Sequence, residues 1–201
     1  MNLGVLISGR GSNMVSIAEA CAREGSPARV AVVVSNVPGA GGLEAAAAMG
    51  IATAVVDHRE FADRPQFERA LVQVLRDHDV EAVALAGFMR IVTGTLLDAF
   101  PDRVLNIHPS LLPAFPGAHA HRDALAHGVK VSGCTVHLVT EEMDAGPIVL
   151  QATVPVAEGD DEDSLAARVL VQEHRLYPEA VRLLAEGRLR VVGRRVQIQE
   201  S

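Results

Sequence analysis

Short apolar segments rich in valine and isoleucine recur along the chain, and segments with helical periodicity separate the first five of them. The apolar runs predict strands at 3–7, 29–34, 51–56, 82–86 and 104–107. The segments between them predict helices at 13–24, 40–49, 65–78 and 94–99. This alternation is typical of βαβ units, in which helices cover both faces of a parallel sheet.

The pattern changes after Pro113. A predicted helix at 119–127 precedes two longer strand-like runs, 131–139 and 147–156, which we expect to extend the sheet with mixed strand directions. A long helix at 162–186 follows, with carboxylates at its start and Gly187 as its stop, and a hairpin is expected around Gly193. The sequence therefore predicts a single α/β domain over 1–201, with a doubly wound half at 1–108 and a C-terminal half at 109–201.

Composition narrows the classes of protein that fit this pattern. Of the 201 residues, 49% are hydrophobic and 21% are charged, which favours a folded chain with a sizeable core. The net charge of −7 argues against a nucleic-acid partner held by phosphate contacts. Two cysteines are too few for a disulfide scaffold, and no apolar run reaches membrane-spanning length. We expect a cytoplasmic protein without a membrane partner, either a monomer or a homodimer.

A glycine-containing loop, "ISGRGSN", joins the first predicted strand to the first predicted helix. Free N–H groups at a helix N-terminus bind anions, so a monophosphate site is one interpretation. A tight turn with helix capping by Ser12 and Asn13 is the other. The loop lacks the third glycine of a dinucleotide fingerprint, because Met14 takes that place, and Arg10 stands where a Walker A loop needs lysine.

Two polar residues end the fifth predicted strand, in "LNIHPSLLP". Asn106 and His108 are two residues apart, so both side chains lie on one face of the strand. An amide N–H and an imidazolium are suitable donors for an oxyanion, although a solvated strand-end pair has the same spacing. Asp144, in "MDAGP", follows a later strand-like run, and its loop could bring the carboxylate to the imidazole. An ordinary turn aspartate is the alternative for Asp144.

Glu173 is unusual because it falls on an apolar stripe of the long helix. The predicted inward-facing residues are Ala166, Leu170, Glu173, Tyr177, Val181 and Leu184. A carboxylate on that face needs a partner, which could be Arg175 or another basic neighbour, or else a polar group of a ligand.

Three histidines, His119, His121 and His127, occur in "HAHRDALAH". A His-x-His pair can chelate a metal from a strand, but on a helix the two side chains diverge. We therefore predict no metal site here.

Five motifs together resemble the folate-dependent phosphoribosylglycinamide formyltransferase family. They are "SGRGSN", "AGFMRI", "LNIHPSLLPAFPG", "MDAGPI" and "QEHRLYP", and the resemblance covers nearly the whole chain. The middle motifs are shared by folate formyl-transfer relatives, whereas the first and last point to a ribonucleotide substrate. The resemblance implies the formyltransferase fold, with a Rossmann-like, mainly parallel sheet in the N-terminal half, mixed strands added to it and helices on both faces.

The resemblance also implies a reaction and a set of site residues. The formyl group of 10-formyltetrahydrofolate would pass to the amine of 5-phosphoribosylglycinamide in purine biosynthesis, without a metal. Asn106, His108 and Asp144 match the catalytic triad. The implied phosphate and ribose ligands are Gly11, Ser12, Asn13 and Glu173. The implied folate ligands are Arg64, Met89, Arg90, Ile91, Val92 and Thr140, the last in the loop 140–144, which lines the pterin pocket. Arg10 departs from the expected phosphate loop.

Three alternatives stay open on sequence grounds. A formyltetrahydrofolate hydrolase shares the triad, but we expect such a protein to carry an N-terminal regulatory domain. A methionyl-tRNA formyltransferase would carry a C-terminal domain for tRNA, and the acidic charge disfavours that partner. A non-catalytic nucleotide-binding module would explain the glycine loop but would leave Asn106, His108 and Asp144 without a role.

Overall fold

The computed structural model describes residues 1–200, in which strands and helices alternate as far as the fifth strand. The strands are β1 (Asn2–Ile7), β2 (Arg29–Ser35), β3 (Ala52–Val55), β4 (Ala82–Leu85), β5 (Val104–His108), β6 (Val131–Leu138), β7 (Ile148–Pro155), β8 (Leu189–Val192) and β9 (Arg195–Ile198). The helices are α1 (Ser12–Cys21), α2 (Gly41–Ala48), α3 (Arg64–Asp77), α4 (Gly94–Leu97), α5 (Ala120–His127) and α6 (Glu162–Ala185), with a 3-10 turn at His58–Glu60.

The nine strands form one sheet in the order β3-β2-β1-β4-β5-β6-β7-β9-β8. The first five strands are parallel to their neighbours, as the predicted βαβ pattern requires. Strand β6 is antiparallel to both β5 and β7, so the predicted extension with mixed strand directions is confirmed. The two strands of the predicted C-terminal hairpin, β8 and β9, are antiparallel to each other.

Side chains of β1 alternate between two hydrophobic cores, one on each face of the sheet. Val5 packs in the core with α1, α2, α5 and α6, whereas Leu6 packs in the core with α3 and α4. Because both faces are covered, the strands read as nearly continuous apolar runs in the sequence. The helices on both faces confirm the predicted fold class.

Helix α6 faces the sheet with a stripe that differs from the predicted one at its start. Leu165 and Val169 are fully buried, whereas the predicted Ala166 and Leu170 are only partly buried. The predicted and the observed stripes share Glu173. The observed stripe continues from Glu173 to positions 169 and 165, which lie four and eight residues before it on the same helix face. Asp161 and Ser164 form a capping box at the start of this helix, with each side chain accepting the other residue's N–H.

Two short elements also differ from the prediction. Helix α4 ends at Leu97 rather than at 99, shortly before Pro101, which disfavours helical backbone at the residue preceding it. The 3-10 turn at His58–Glu60 was not predicted. Among residues 1–200, no helix combines the length and the apolar composition that a bilayer-spanning segment needs.

The hydroxyl of Tyr177 joins α6 to the centre of the sheet. Tyr177 is fully buried, and its hydroxyl oxygen lies 3.0 Å from the carbonyl oxygens of Leu85 and Leu105. These residues belong to the neighbouring strands β4 and β5, just before the loop and the polar residues at the strand ends. A single hydroxyl proton therefore serves two backbone acceptors in the core.

We expect Tyr177→Phe to lower the free energy of unfolding by about 1–3 kcal/mol, because two buried carbonyls lose a hydrogen-bond partner. Urea denaturation followed by circular dichroism measures this. Val171→Ala is a control on the same helix, since Val171 is 66% exposed. Equal midpoints for the two variants would show that the hydroxyl contributes nothing to stability.

Candidate active site

Strand β5 presents Asn106 and His108 at its carboxyl end, and the neighbouring strand β6 orients the amide. Asn106 pairs with His137 across the antiparallel ladder. The Asn106 Nδ2 and the His137 Nε2 are 3.1 Å apart. The pairing of the two strands thus places an imidazole beside the amide, although His137 was not among the predicted site residues.

His137 acts as an acceptor for the Asn106 amide. Its Nδ1 lies 3.0 Å from the carbonyl oxygen of Leu138, which can only accept, so Nδ1 carries the proton. Burial lowers the pKa of His137, which favours the neutral ring with an unprotonated Nε2. The amide nitrogen of Asn106 therefore donates one N–H to His137 and keeps its second N–H for another acceptor.

The ring of His108 lies between two oxygen atoms and is almost fully buried. Its Nε2 donates to the carbonyl oxygen of Phe115 at 2.8 Å. Its Nδ1 lies 3.5 Å from Oδ2 of Asp144. Because Nε2 is occupied by Phe115, Nδ1 is the nitrogen that remains for a reacting group, and a ring with a proton on each nitrogen can donate on both sides.

The turn after His108 holds both the histidine and the aspartate. Thr135 on β6 fixes this turn: its hydroxyl accepts from Leu112 N at 3.1 Å and donates to Ser110 O at 2.7 Å. Further along the turn, Gly117 N donates to Oδ2 of Asp144 at 2.8 Å. The sequence prediction that a loop carries Asp144 to the imidazole agrees with this geometry.

A cavity of about 370 Å³ opens beside Asn106, His108 and Asp144. Two loops form its walls, one after β4 and one after β6. The predicted folate ligands Met89, Arg90, Ile91, Val92 and Thr140 all line it, together with Asn106, His108, His137 and Asp144.

Arg64 does not line this cavity, in contrast to the other predicted folate ligands. It is the first residue of α3 and is exposed to solvent. The surrounding sequence, "ADRPQF", has the features of a helix start. Asp63 caps the helix by accepting from Gln66 N at 2.8 Å, and a proline follows Arg64 in the first turn. Local helix-start chemistry therefore explains the motif without reference to the cavity.

The loop on one side of the cavity is tied to the end of β1. The hydroxyl of Ser8 accepts from Met89 N at 2.8 Å and donates to Oδ1 of Asn36 at 2.6 Å. Ser8 directly precedes the glycine loop. The cavity wall and the glycine loop are thus positioned by the same strand end.

The glycine loop leads into α1 at Gly11, whose φ of 75° is left-handed. A Cβ at this position would lie 2.8 Å from the Cα of Gly42, so internal packing also requires glycine here. No side chain caps the first amides of α1, which contradicts the interpretation that Ser12 or Asn13 serves as a cap. Those amides remain available to an anion.

Glu173 on α6 reaches the same region. Its Oε2 accepts from Nδ2 of Asn13 at 2.7 Å, and burial raises the pKa of Glu173. The predicted alternative of an ion pair with Arg175 is wrong, because none occurs between the two residues.

Four buried side-chain atoms have no hydrogen-bond partner within residues 1–200: Asn13 Oδ1, Arg90 Nε, His121 Nδ1 and His174 Nε2. Buried polar atoms are normally paired, so each needs an explanation. Asn13 and Arg90 are predicted ligand residues, and His174 adjoins Glu173. A bound ligand is one explanation for these unpaired atoms.

No group of three or more His, Cys, Asp or Glu side chains in the described part of the chain could hold a metal ion.

Comparisons with known proteins identify the family of this chain. The model of a family described as formyl transferase matches residues 1–181. The chain belongs to the formyl transferase family.

Relatives within this family differ in length. The phosphoribosylglycinamide formyltransferase of Escherichia coli is 46% identical, over 95% of this chain and 90% of the relative. The trifunctional purine biosynthetic protein adenosine-3 of Gallus gallus is 45% identical, and the matched region is 19% of that protein. The chain thus spans between 14% and 19% of the length of the trifunctional relatives. A crystal structure named glycinamide ribonucleotide transformylase 1, from Symbiobacterium toebii, is 54% identical, with a TM-score of 0.98 over 100% of this chain and 94% of that chain.

The neutral state of His137 in this formyl transferase predicts a pH dependence of stability. Because the pKa is lowered in the folded chain, the unfolded chain binds a proton first as pH falls below about 6.5. We expect wild type to lose stability relative to His137→Gln by up to about 1.4 kcal/mol per pH unit in that range. Urea unfolding between pH 7.5 and 5.5 measures this.

Glutamine at 137 keeps an acceptor for Asn106 but does not titrate. His121, whose pKa burial also lowers, is present in both proteins, so its contribution cancels in the comparison. Parallel stability curves for the two proteins over this pH range would contradict a neutral His137.

Proposed function

We propose that this chain transfers the formyl group of 10-formyltetrahydrofolate to the amine of 5-phosphoribosylglycinamide. The products are formylglycinamide ribonucleotide and tetrahydrofolate, in de novo purine biosynthesis. The observation that carries the proposal is the position of Asn106, His108 and Asp144 along one cavity. The Asn13–Glu173 hydrogen bond at the glycine loop adds a polar pair for the second substrate. Relatives that match nearly the whole chain are named phosphoribosylglycinamide formyltransferase, which supports the same activity.

The ribonucleotide occupies the α1 side of the site in this proposal. The uncapped amides of Gly11, Ser12 and Asn13 bind its phosphate at the positive end of the helix. Glu173 accepts from a ribose hydroxyl, and Asn13 keeps that carboxylate in place. The acidic chain needs no basic patch for this, because backbone N–H groups provide the anion site.

The formyl donor occupies the cavity beside the triad. Residues 89–92 and Thr140 contact the pterin, and the partly buried Arg90 supplies an unpaired donor, its Nε. Ile91 and Met143 are half exposed and give the cavity an apolar rim. Arg64 lies outside the cavity and is available only to a part of the folate that extends beyond it.

The chemistry follows from the donors that face the cavity. The neutral amine attacks the formyl carbon, a C–N bond forms, and negative charge develops on the formyl oxygen. The free N–H of Asn106 and Nδ1–H of His108 donate to that oxygen. The bond from the formyl carbon to the folate nitrogen then breaks, and the proton lost by the amine passes to that nitrogen. Asp144 balances the charge on His108.

The direct test is a spectrophotometric assay of formyl-folate consumption with and without the ribonucleotide. We expect consumption only when the amine is present, with formylated ribonucleotide as the product. Consumption at the same rate without the amine would instead identify a hydrolase. Thermal stabilisation by the ribonucleotide without any turnover would identify a binding module.

Asn106→Ala should lower kcat by roughly 10²–10³-fold in this assay, because one oxyanion donor is lost. The KM for formyl-folate should change little. Gln197→Ala is a control on β9, where the residue is exposed. A kcat close to that of wild type in Asn106→Ala would contradict the assignment of the triad.

Glu173→Gln should raise the KM for the ribonucleotide roughly 10- to 100-fold, as expected for loss of a charged hydrogen bond. The variant should be at least as stable as wild type at neutral pH, because burial disfavours the charged carboxylate. Steady-state kinetics and a melting scan measure both effects. Arg175→Gln, at an exposed position two residues further along the helix, is the control. If Glu173→Gln lowered the melting temperature without a change in KM, Glu173 would have a structural role only.

Inorganic phosphate at millimolar concentration should compete with the ribonucleotide and not with formyl-folate. The reason is that the proposed anion site recognises the phosphate through backbone amides alone. The nucleoside without its phosphate should be a poor substrate for the same reason. If the nucleoside were used as well as the ribonucleotide, the glycine loop would have no part in substrate binding.

A further inference from the structure

Glu68 is a buried carboxylate that lies outside the proposed catalytic residues. It is 1% exposed and belongs to α3, in the core between that helix and α4. No basic side chain forms an ion pair with it within residues 1–200. Burial of a carboxylate without a counter-ion is costly, so its hydrogen bonds must compensate.

All the hydrogen bonds of Glu68 go to the start of α4. Its Oε1 accepts from Thr93 N at 2.7 Å. Its Oε2 accepts from Thr93 Oγ1 at 2.7 Å and from Leu96 N at 3.1 Å. Thr93 directly follows Val92, which lines the cavity. The carboxylate therefore fixes the point at which the cavity wall 87–92 ends.

The start of α4 also contacts the opposite wall of the cavity. A Cβ added to Gly94 would lie 2.9 Å from Oε1 of Glu141. Glu141 belongs to the loop 140–144, which forms the second wall and carries Asp144. The first turn of α4 thus lies beside both walls, and Glu68 holds that turn from the core.

We propose that Glu68 is a positioning residue for the formyl-folate pocket, acting through Thr93 and the first turn of α4. The inference rests on the proposed function for the identity of the ligand. The hydrogen bonds of Glu68 go to Thr93 and Leu96, which follow the cavity wall and are remote in the chain from the glycine loop, so we expect its effect on the folate side alone. The far end of the same wall is held independently by Ser8 at Met89 N.

Glu68→Gln tests this proposal, because a glutamine amide places N–H donors where Thr93 and Leu96 also donate. The KM for formyl-folate should rise about 10- to 100-fold, as expected when a distant change displaces a binding wall. The KM for the ribonucleotide should stay within about twofold, which is within ordinary assay scatter for an uninvolved site. Thr93→Val, which removes only the hydroxyl, should give a smaller change in the same direction.

Calorimetric binding of tetrahydrofolate gives a readout that does not depend on formyl transfer. Its Kd should rise in Glu68→Gln and, to a smaller extent, in Thr93→Val. Gln73→Ala is the control on α3, where Gln73 is exposed and bonds only to Asp77. Thr93→Val keeps the carboxylate and both backbone donors, so it provides a folded variant if Glu68→Gln is unstable.

The outcomes separate the positioning role of Glu68 from the proposed formyl transfer. A lower melting temperature with unchanged folate KM and tetrahydrofolate Kd would make Glu68 a helix-start anchor for stability only and overturn the inference. Equal rises in the KM of both substrates would also overturn it. Absence of formyl transfer by wild type, with tetrahydrofolate binding still weakened by Glu68→Gln, would contradict the proposed function and leave the positioning role intact.

Discussion

The antiparallel pairing of β5 with β6 is the constraint on which the site depends. One register sets His137 opposite Asn106 and Thr135 opposite His108. His137 then orients the amide, and Thr135 holds the turn whose Phe115 carbonyl accepts from His108. A slip of one residue would send these side chains to the other face of the sheet. The change from parallel to antiparallel strands therefore positions the proposed oxyanion donors as well as extending the sheet.

The ligand side of the molecule is assembled at strand ends, as in other open α/β sheets. Strand β1 ends at the glycine loop and, through Ser8, at the cavity wall. Helix α6 contributes from the other direction: Glu173 reaches Asn13, while Tyr177 joins β4 to β5 one turn further along. The proposed anion site of this acidic chain therefore needs only backbone amides and a few aligned side chains.

Sequence patterns predicted the central strands because β1, β4 and β5 are buried on both faces of the sheet and are therefore apolar runs in the sequence. The stripe of α6 was misplaced at Ala166 and Leu170, since a charged residue within it obscured the period. His137 was missed because a histidine inside an apolar strand resembles a core residue until its cross-strand partner is known. Glu68 was missed because its partners lie 25 or more residues away. Arg64 carried no local signal beyond a helix start. For His137 and Glu68, long-range pairing is what the local pattern does not encode.

The central claim is that the Asn106 amide and the His108 imidazole meet the formyl oxygen from one strand end. A crystal structure of the chain with the ribonucleotide and a folate analogue that cannot transfer its formyl group tests this most directly. We expect the formyl oxygen about 2.7–3.1 Å from both Asn106 Nδ2 and His108 Nδ1, with the amine facing the formyl carbon. A formyl oxygen directed away from β5 and bonded to other groups would contradict it.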